Sequence, residues 1–271
     1  MNQVSSLFFL IWLDIKRVFR DTKYVLFIIA LPVIFYIIYT AIFPENANVN
    51  GVSWSEYCLI SMIAFGIMGN AINLLGTKIA DERKKQWYTY LKVSPVNSTY
   101  YVISHVFSYL LISVAFTFLM FVVAYLYKGI NLGVLEMINI GITLNIGSIV
   151  FLIMALLIGR LDSLSQPIGT ITYLVLSFLG GLWMPVAAMP KFLSQIATFL
   201  PSYNYARLGW GLLENKGIDV KSVAILFIYI YASWESISYY RERSKLIRRY
   251  FENKRVFWEY ISIREKVVCL D

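Results

Sequence analysis

Charge is scarce in this sequence. Asp, Glu, Lys and Arg together make up 15% of the chain, against about a quarter in soluble domains, so a fold kept in water by a charged surface is excluded. His105 is the only histidine, which leaves little for general acid-base chemistry. The two cysteines, Cys58 and Cys269, fall on opposite sides of the membrane in the reading below and cannot pair. HExxH, GxSxG and GxxxxGK[ST] are all missing, so the chain has none of those routes to a zinc hydrolase, a serine hydrolase or a nucleotide-phosphate cradle. No repeat of 20 to 50 residues and no low-complexity linker occurs, and no hydrophilic gap is long enough for a soluble catalytic domain. The first apolar stretch is broken by Asp14, Lys16 and Arg17 and lacks a small-residue cleavage site, so no cleavable signal peptide is expected.

What is present is hydrophobic: 59% of residues are apolar or aromatic and mean hydropathy is +0.65. Six apolar stretches lie between Tyr24 and Tyr240, at about 20 residues for each bilayer crossing. The hydrophilic gaps between them alternate in positive charge. Four Lys or Arg precede the first stretch, five follow the second, one follows the fourth and nine follow the last; the intervening gaps hold none, one and four. By the positive-inside rule both ends are cytoplasmic. The pI of about 9.3 then reflects contact with anionic headgroups rather than nucleic acid.

The pattern predicts an all-α integral membrane protein in three parts. Residues 1–23 form an N-terminal interfacial helix, 24–240 a domain of six transmembrane helices, and 241–271 a basic, aromatic cytoplasmic tail. The interfacial helix is read from apolar positions at helical spacing between Val4 and Arg20, with Asp14, Lys16, Arg17 and Arg20 on one side. The spans run from Tyr24 to Phe43, kinked at Pro32, then from about Tyr57 to Ile79, Val102 to Tyr127, Ile138 to Leu161 and Ile168 to Met184. The sixth is weak, because its apolar run Val223 to Ala232 is followed by Ser233, Trp234, Glu235 and Ser236 before the helix reaches Tyr240. Between the fifth and sixth, Phe192, Leu193, Ile196, Phe199 and Leu200 recur with helical period between Pro190 and Pro201, describing an amphipathic helix at the outer interface.

Small and polar residues within the spans fall at helical spacing: Gly66, Asn70, Asn73 and Thr77; Gly141, Asn145 and Ser148; Thr170, Tyr173, Ser177 and Gly180. Such faces point at other helices, where small residues let backbones approach and buried amides find partners. They serve either internal packing or a transport pathway or dimer seam. His105 reads as a helix-end residue, since a proton relay would need a partner and none is near in sequence. The spans hold almost no charge, unlike ion-coupled carriers, which suggests that energy enters from outside them. An ion-driven carrier and a lipid-modifying membrane enzyme remain alternatives. Finding a nucleotide-binding partner favours neither, and activity that survives its loss would favour the enzyme.

Two segments sharpen this. The loop after the second span reads Glu82-Arg-Lys-Lys-Gln-Trp-Tyr-Thr-Tyr-Leu-Lys-Val-Ser-Pro-Val96, and the stretch after the fifth reads Gly180-Gly-Leu-Trp-Met-Pro-Val-Ala-Ala-Met-Pro190. With the six spans, the interfacial helix and the inside termini, these resemble the permease subunits of the ABC-2 family, the membrane halves of ATP-driven exporters, over about Val4 to Tyr231. The resemblance implies a cytoplasmic coupling helix docking on a separate ABC ATPase through Glu82, Arg83, Leu91, Ser94 and Pro95, although Gln86 stands where the family commonly has Gly. It implies an outer re-entrant segment followed by the amphipathic helix with Phe192, Ile196 and Phe199, and a pathway or seam built from Gly66, Asn70, Asn73, Asn145, Thr170, Tyr173, Ser177 and Gly180. It further implies a second permease subunit, ATP and Mg bound only by the ATPase, no bound metal, a plasma-membrane location and no enzyme activity in this chain. The substrate class it suggests is an amphipathic antibiotic or lipid-like compound, as for daunorubicin- and linearmycin-resistance permeases; polysaccharide exporters share the fold. The tail departs from the family's pattern.

Overall fold

The computed structural model describes residues 3–20, 29–44, 47–85, 98–240 and 242. Its elements are α1 (Gln3–Arg20), α2 (Leu31–Ile42), a two-stranded hairpin of β1 (Asn48–Val49) and β2 (Val52–Ser53), and α3 (Trp54–Gly69), which continues through a π-helical turn (Asn70–Leu75) into α4 (Gly76–Lys84). Then come α5 (Ser98–Lys128), α6 (Val134–Gly147), α7 (Ile149–Ile158), α8 (Ser165–Leu179), α9 (Lys191–Ala197) and α10 (Pro201–Leu213), and the long helix α11 (Val220–Tyr240). The chain divides into two compact units, Met1–Ile230 and Tyr231–Asp271.

Among the described residues four helical stretches are long and apolar enough to cross a membrane: Trp54–Glu82, Ile103–Lys128, Val134–Ile158 and Val220–Tyr240. Six were expected. The two others are short as described, with 12 residues in α2 and 15 in α8. Residues 21–28, where the first span was expected to begin, lie outside the described residues. Pro32 is the second residue of α2, which continues directly from π-helical residues 29–30, so the proline lies where the helix changes its hydrogen-bonding pattern. The fifth span stops at Leu179, five residues early, because Gly181 takes a left-handed φ of 77° that turns the backbone out of the helix. In the sixth, the polar run does not end the helix. Ser236 Oγ donates to the Ala232 carbonyl at 2.8 Å, a local bond that satisfies the hydroxyl without leaving helical geometry.

The helix from Trp54 to Glu82 is the central one. Its apolar window is 89% buried, against 44% for the helices beginning at Ile103 and Val134. A helix apolar on every side needs neighbours on every side, and α2, α5 and α10 pack around α3. Leu59, Ile60, Ile63, Phe65 and Ile67 are fully enclosed. Its start is fixed by a capping box, in which Ser53 Oγ accepts from the Glu56 N–H and Glu56 accepts from the Ser53 N–H, each at 3.3 Å. The hairpin before it turns through Asn50 and Gly51, both at positive φ (53° and 89°), the geometry that two-residue hairpins demand.

In α1 the expected division into one apolar and one polar side resolves into three. Ile11, Asp14 and Val18, spaced i, i+3 and i+7, are buried where α1 packs on α5. Phe8, Phe9, Trp12 and Phe19 are exposed apolar rings, and Lys16, Arg17 and Arg20 are exposed cations. One residue, Asp14, thus leaves the polar side and enters the protein.

Candidate functional site

That carboxylate is the first member of a buried ionic cluster. Three helices meet at the lysine- and arginine-rich end of the bundle. Helix α4 contributes Lys78 and Glu82, and α5 contributes Tyr101 and His105; each pair is spaced i, i+4 and so faces one way. Asp14 Oδ1 lies 2.8 Å from Lys78 Nζ, and Asp14 Oδ2 lies 2.5 Å from His105 Nδ1. The other ring nitrogen, Nε2, stands 3.3 Å from Glu82 Oε1 as an ion-pair contact outside hydrogen-bonding alignment. The Tyr101 hydroxyl donates to Glu82 Oε1, and its ring packs edge-on against the His105 ring with centroids 4.3 Å apart. Asp14, Glu82, Tyr101 and His105 are all buried. Burial alone would raise the Asp14 carboxyl, but the hydrogen bond and charge of His105 and the charge of Lys78 outweigh it and hold the group below the usual carboxylate range.

Beside the cluster is a polar cavity of about 390 Å³ that Arg17, Lys78, Asp81, Glu82, Lys85 and Tyr101 help to line. Among the described residues no group of three or more His, Cys, Asp or Glu is placed to hold a metal ion. The arrangement is a joint. It ties α4, which ends before segment 85–97, α5, which begins after it, and α1 to one another. Of the five residues expected at the ATPase contact, Glu82 is buried in this joint, Arg83 lies in the last turn of α4, and Leu91, Ser94 and Pro95 lie outside the described residues. Sequence reading missed Asp14, Lys78, Tyr101 and the partners of His105. The available signal was a lone acid in a basic amphipathic helix together with two i, i+4 polar pairs on either side of one loop.

The residues expected on one face of the second span divide between two neighbours, because the π-helical turn at Asn70–Leu75 inserts an extra residue and shifts the register of everything after it. Asn70 Nδ2 donates to Ser113 Oγ of α5 at 2.8 Å, while Asn73 Oδ1 accepts from Thr170 of α8 at 3.4 Å. Gly66 lies against the Phe116 ring, where a Cβ would fall 2.2 Å from a ring carbon. Asn145 donates to the Gly141 carbonyl at 2.8 Å and lines an apolar groove of about 640 Å³ between α5 and α6. In α8, Tyr173 is buried and stacks on Phe65 with centroids 4.7 Å apart. Ser177 Oγ donates to the Tyr173 carbonyl, and Gly180 abuts Ser202. Phe35 stacks on Phe65 at 6.1 Å, and Trp183, from the stretch between α8 and α9, meets Phe35, Phe65 and Phe178 edge-on. The hydroxyls of Tyr36 and Tyr173 and the indole N–H of Trp183 are buried there without hydrogen-bond partners. In and just after α9, Phe192 and Phe199 are exposed, Ile196 is half-buried and Gln195 is exposed.

Long apolar helices around a buried central one define an all-α membrane protein. The chain belongs to the ABC-2 type transporter family, whose pattern it matches over residues 5–207. It is also similar to the protein named "Putative transport permease YvfS" of Bacillus subtilis (strain 168), at 27% identity over 236 residues, which is 86% of this chain and 96% of that protein.

Proposed function

We propose that this chain is the membrane-spanning permease subunit of an ATP-driven exporter, working as a dimer of permeases with a separate ATPase that binds ATP and Mg. It crosses the plasma membrane six times, with both termini in the cytoplasm. The observation that carries this reading is the clamp at both ends of the 85–97 loop. Glu82 at the end of α4 and Tyr101 at the start of α5 are hydrogen-bonded to each other inside the protein. A loop that merely links two spans needs no such restraint, whereas a loop that receives a push must pass it to both helices. Arg83, Leu91, Ser94 and Pro95 are assigned to the ATPase contact and Glu82 to the support behind it. An amphipathic or lipid-like substrate suits the aromatic cluster of Phe35, Phe65, Tyr173 and Trp183, with its unpartnered hydroxyl and indole groups. Gly66, Asn70, Asn73, Asn145, Thr170, Ser177 and Gly180 are placed along the same pathway or at the dimer seam.

The test is purification of the full chain with the ABC ATPase that accompanies it, followed by ATP-dependent transport in vesicles. Leu91→Asp is expected to leave the chain in the membrane while removing both ATPase retention and transport, and a cysteine at Ser94 is expected to cross-link to the ATPase. Undiminished ATP-dependent transport by Leu91→Asp overturns the coupling assignment.

A second expectation concerns the α9 segment. The side chains of Phe192, Ile196 and Phe199 each favour apolar surroundings by roughly 1.5 to 3 kcal/mol when fully buried, so a charge among them should lift the segment from the interface. Ile196→Lys is expected to impair release of substrate while ATPase binding persists, and Gln195→Lys, on the exposed polar side, to be nearly silent. Equal export by the two at equal membrane abundance would remove the amphipathic pattern from the mechanism.

A further inference from the structure

We propose that His105 is a positioning residue that acts as a proton-dependent pin, fixing α1 to the inner end of the central helix so that α1 moves with the coupling loop. This rests on the coupling role proposed above for the 85–97 loop. The two ring nitrogens of His105 face two carboxylates from two different helices, Asp14 of α1 at 2.5 Å and Glu82 of α4 at 3.3 Å. A neutral imidazole carries one N–H and can serve only one of them; the imidazolium carries two.

Charge counting agrees. With His105 protonated, the buried set holds two cations, His105 and Lys78, against two carboxylates, Asp14 and Glu82. With His105 neutral, one negative charge is left uncompensated in a place where unpaired charge is costly. The remaining groups facing this site are Tyr101 of α5, which hydrogen-bonds Glu82, and Arg17, Asp81 and Lys85 around the adjoining cavity. Arg17 and Lys85 offset only part of the excess, since they border a cavity and are exposed.

Lys78 also ties α1 to α4 through Asp14, and its Nζ lies 3.1 Å from His105 Nδ1, but among the described residues the side chain paired with both carboxylates is His105. As pH rises and the imidazolium loses one proton, the remaining N–H can serve Asp14 or Glu82 but not both, so the continuous contact from α1 through His105 to Glu82 is lost while the bond from Asp14 to Lys78 and the apolar packing of α1 remain. The pin is therefore closed at the acid side of the histidine range and weakened on the alkaline side.

The experiment uses the full chain in vesicles, in a background lacking Cys58 and Cys269, with spin labels at the exposed positions Lys16 of α1 and Lys84 of α4. Between about pH 6 and about pH 9, the interval over which a histidine changes charge, the label separation in the unmodified pin is expected to lengthen or broaden. His105→Gln is expected to be broad at both pH values, and His105→Lys, whose charge does not titrate in that interval, narrow at both. ATP hydrolysis by the complex with the ATPase is expected to follow the same pattern. A separation that ignores both pH and the substitutions overturns the pin, whatever transport does. A separation that responds while ATP hydrolysis and transport do not overturns its role in coupling. Failure of the coupling assignment itself reads out separately, as undiminished transport by Leu91→Asp with the label response intact.

Discussion

Gly66→Leu is expected to leave little correctly folded protein in the membrane. At this position a Cβ would already fall 2.2 Å from the Phe116 ring, and Phe116 is itself buried. Phe116 belongs to the same buried core as Phe65, Ile67 and Met120, so a leucine at position 66 has to displace an enclosed ring. Overpacking of this kind costs typically 1–3 kcal/mol, and the three further carbons of leucine place it at about 3 kcal/mol. Gly141→Ala is the control, since its Cβ would meet only a Thr117 methyl at 3.7 Å, an ordinary contact. Thermal melting in detergent should separate the two variants clearly, and Gly66→Leu combined with Phe116→Ala should recover part of the loss, because the two changes share one contact. Equal melting of the two glycine variants would mean that α3 and α5 are not packed as closely as described.

Lys78→Met should be the most damaging single change in the ionic joint outside His105. It removes the cation 2.8 Å from Asp14 and leaves that carboxylate buried. Breaking a buried pair by deleting one partner costs about 3–5 kcal/mol, and the partial exposure of Lys78 puts this case at about 3 kcal/mol. The pH dependence has a definite sign. The native Asp14 carboxyl is held below its ordinary value of 3.8, so its contribution is complete above that value and disappears as pH falls through the lower native one. Without Lys78 the lowering shrinks and the acid-side loss begins at higher pH. Melting curves of the two proteins between about pH 3 and about pH 7 should therefore converge toward acid. A difference in stability that is constant across that range would show that Lys78 contributes through packing rather than through charge.

Much of the architecture follows from local pattern alone. The apolar stretches at membrane length, the alternation of basic gaps and the period of Phe192, Leu193, Ile196 and Phe199 are properties of neighbouring residues, and bilayer partitioning acts on them directly. The family resemblance was carried by the Glu82–Val96 and Gly180–Pro190 segments. Glycine and asparagine spacing correctly marked residues that meet other helices, since Gly66, Asn70 and Asn73 all do.

The assignments that failed to emerge have a common physical cause. The π-helical turn at Asn70–Leu75 is set by the packing of the central helix against its neighbours, and it sends Asn70 and Asn73 to different partners where a regular helix would keep one face. Gly181 ends α8 early through a single left-handed residue. Asp14 looks like one more charge on a polar helix face, and His105 looks alone, because their charged partners are 64 and 23 residues away or more. Sequence by itself determined that this chain is an all-α membrane protein and which segments carry charge, because those follow from transfer of side chains between water and lipid. Only the tertiary structure decided which charges are buried together, since an ion pair across three helices depends on where their axes come to rest and leaves no period in the chain.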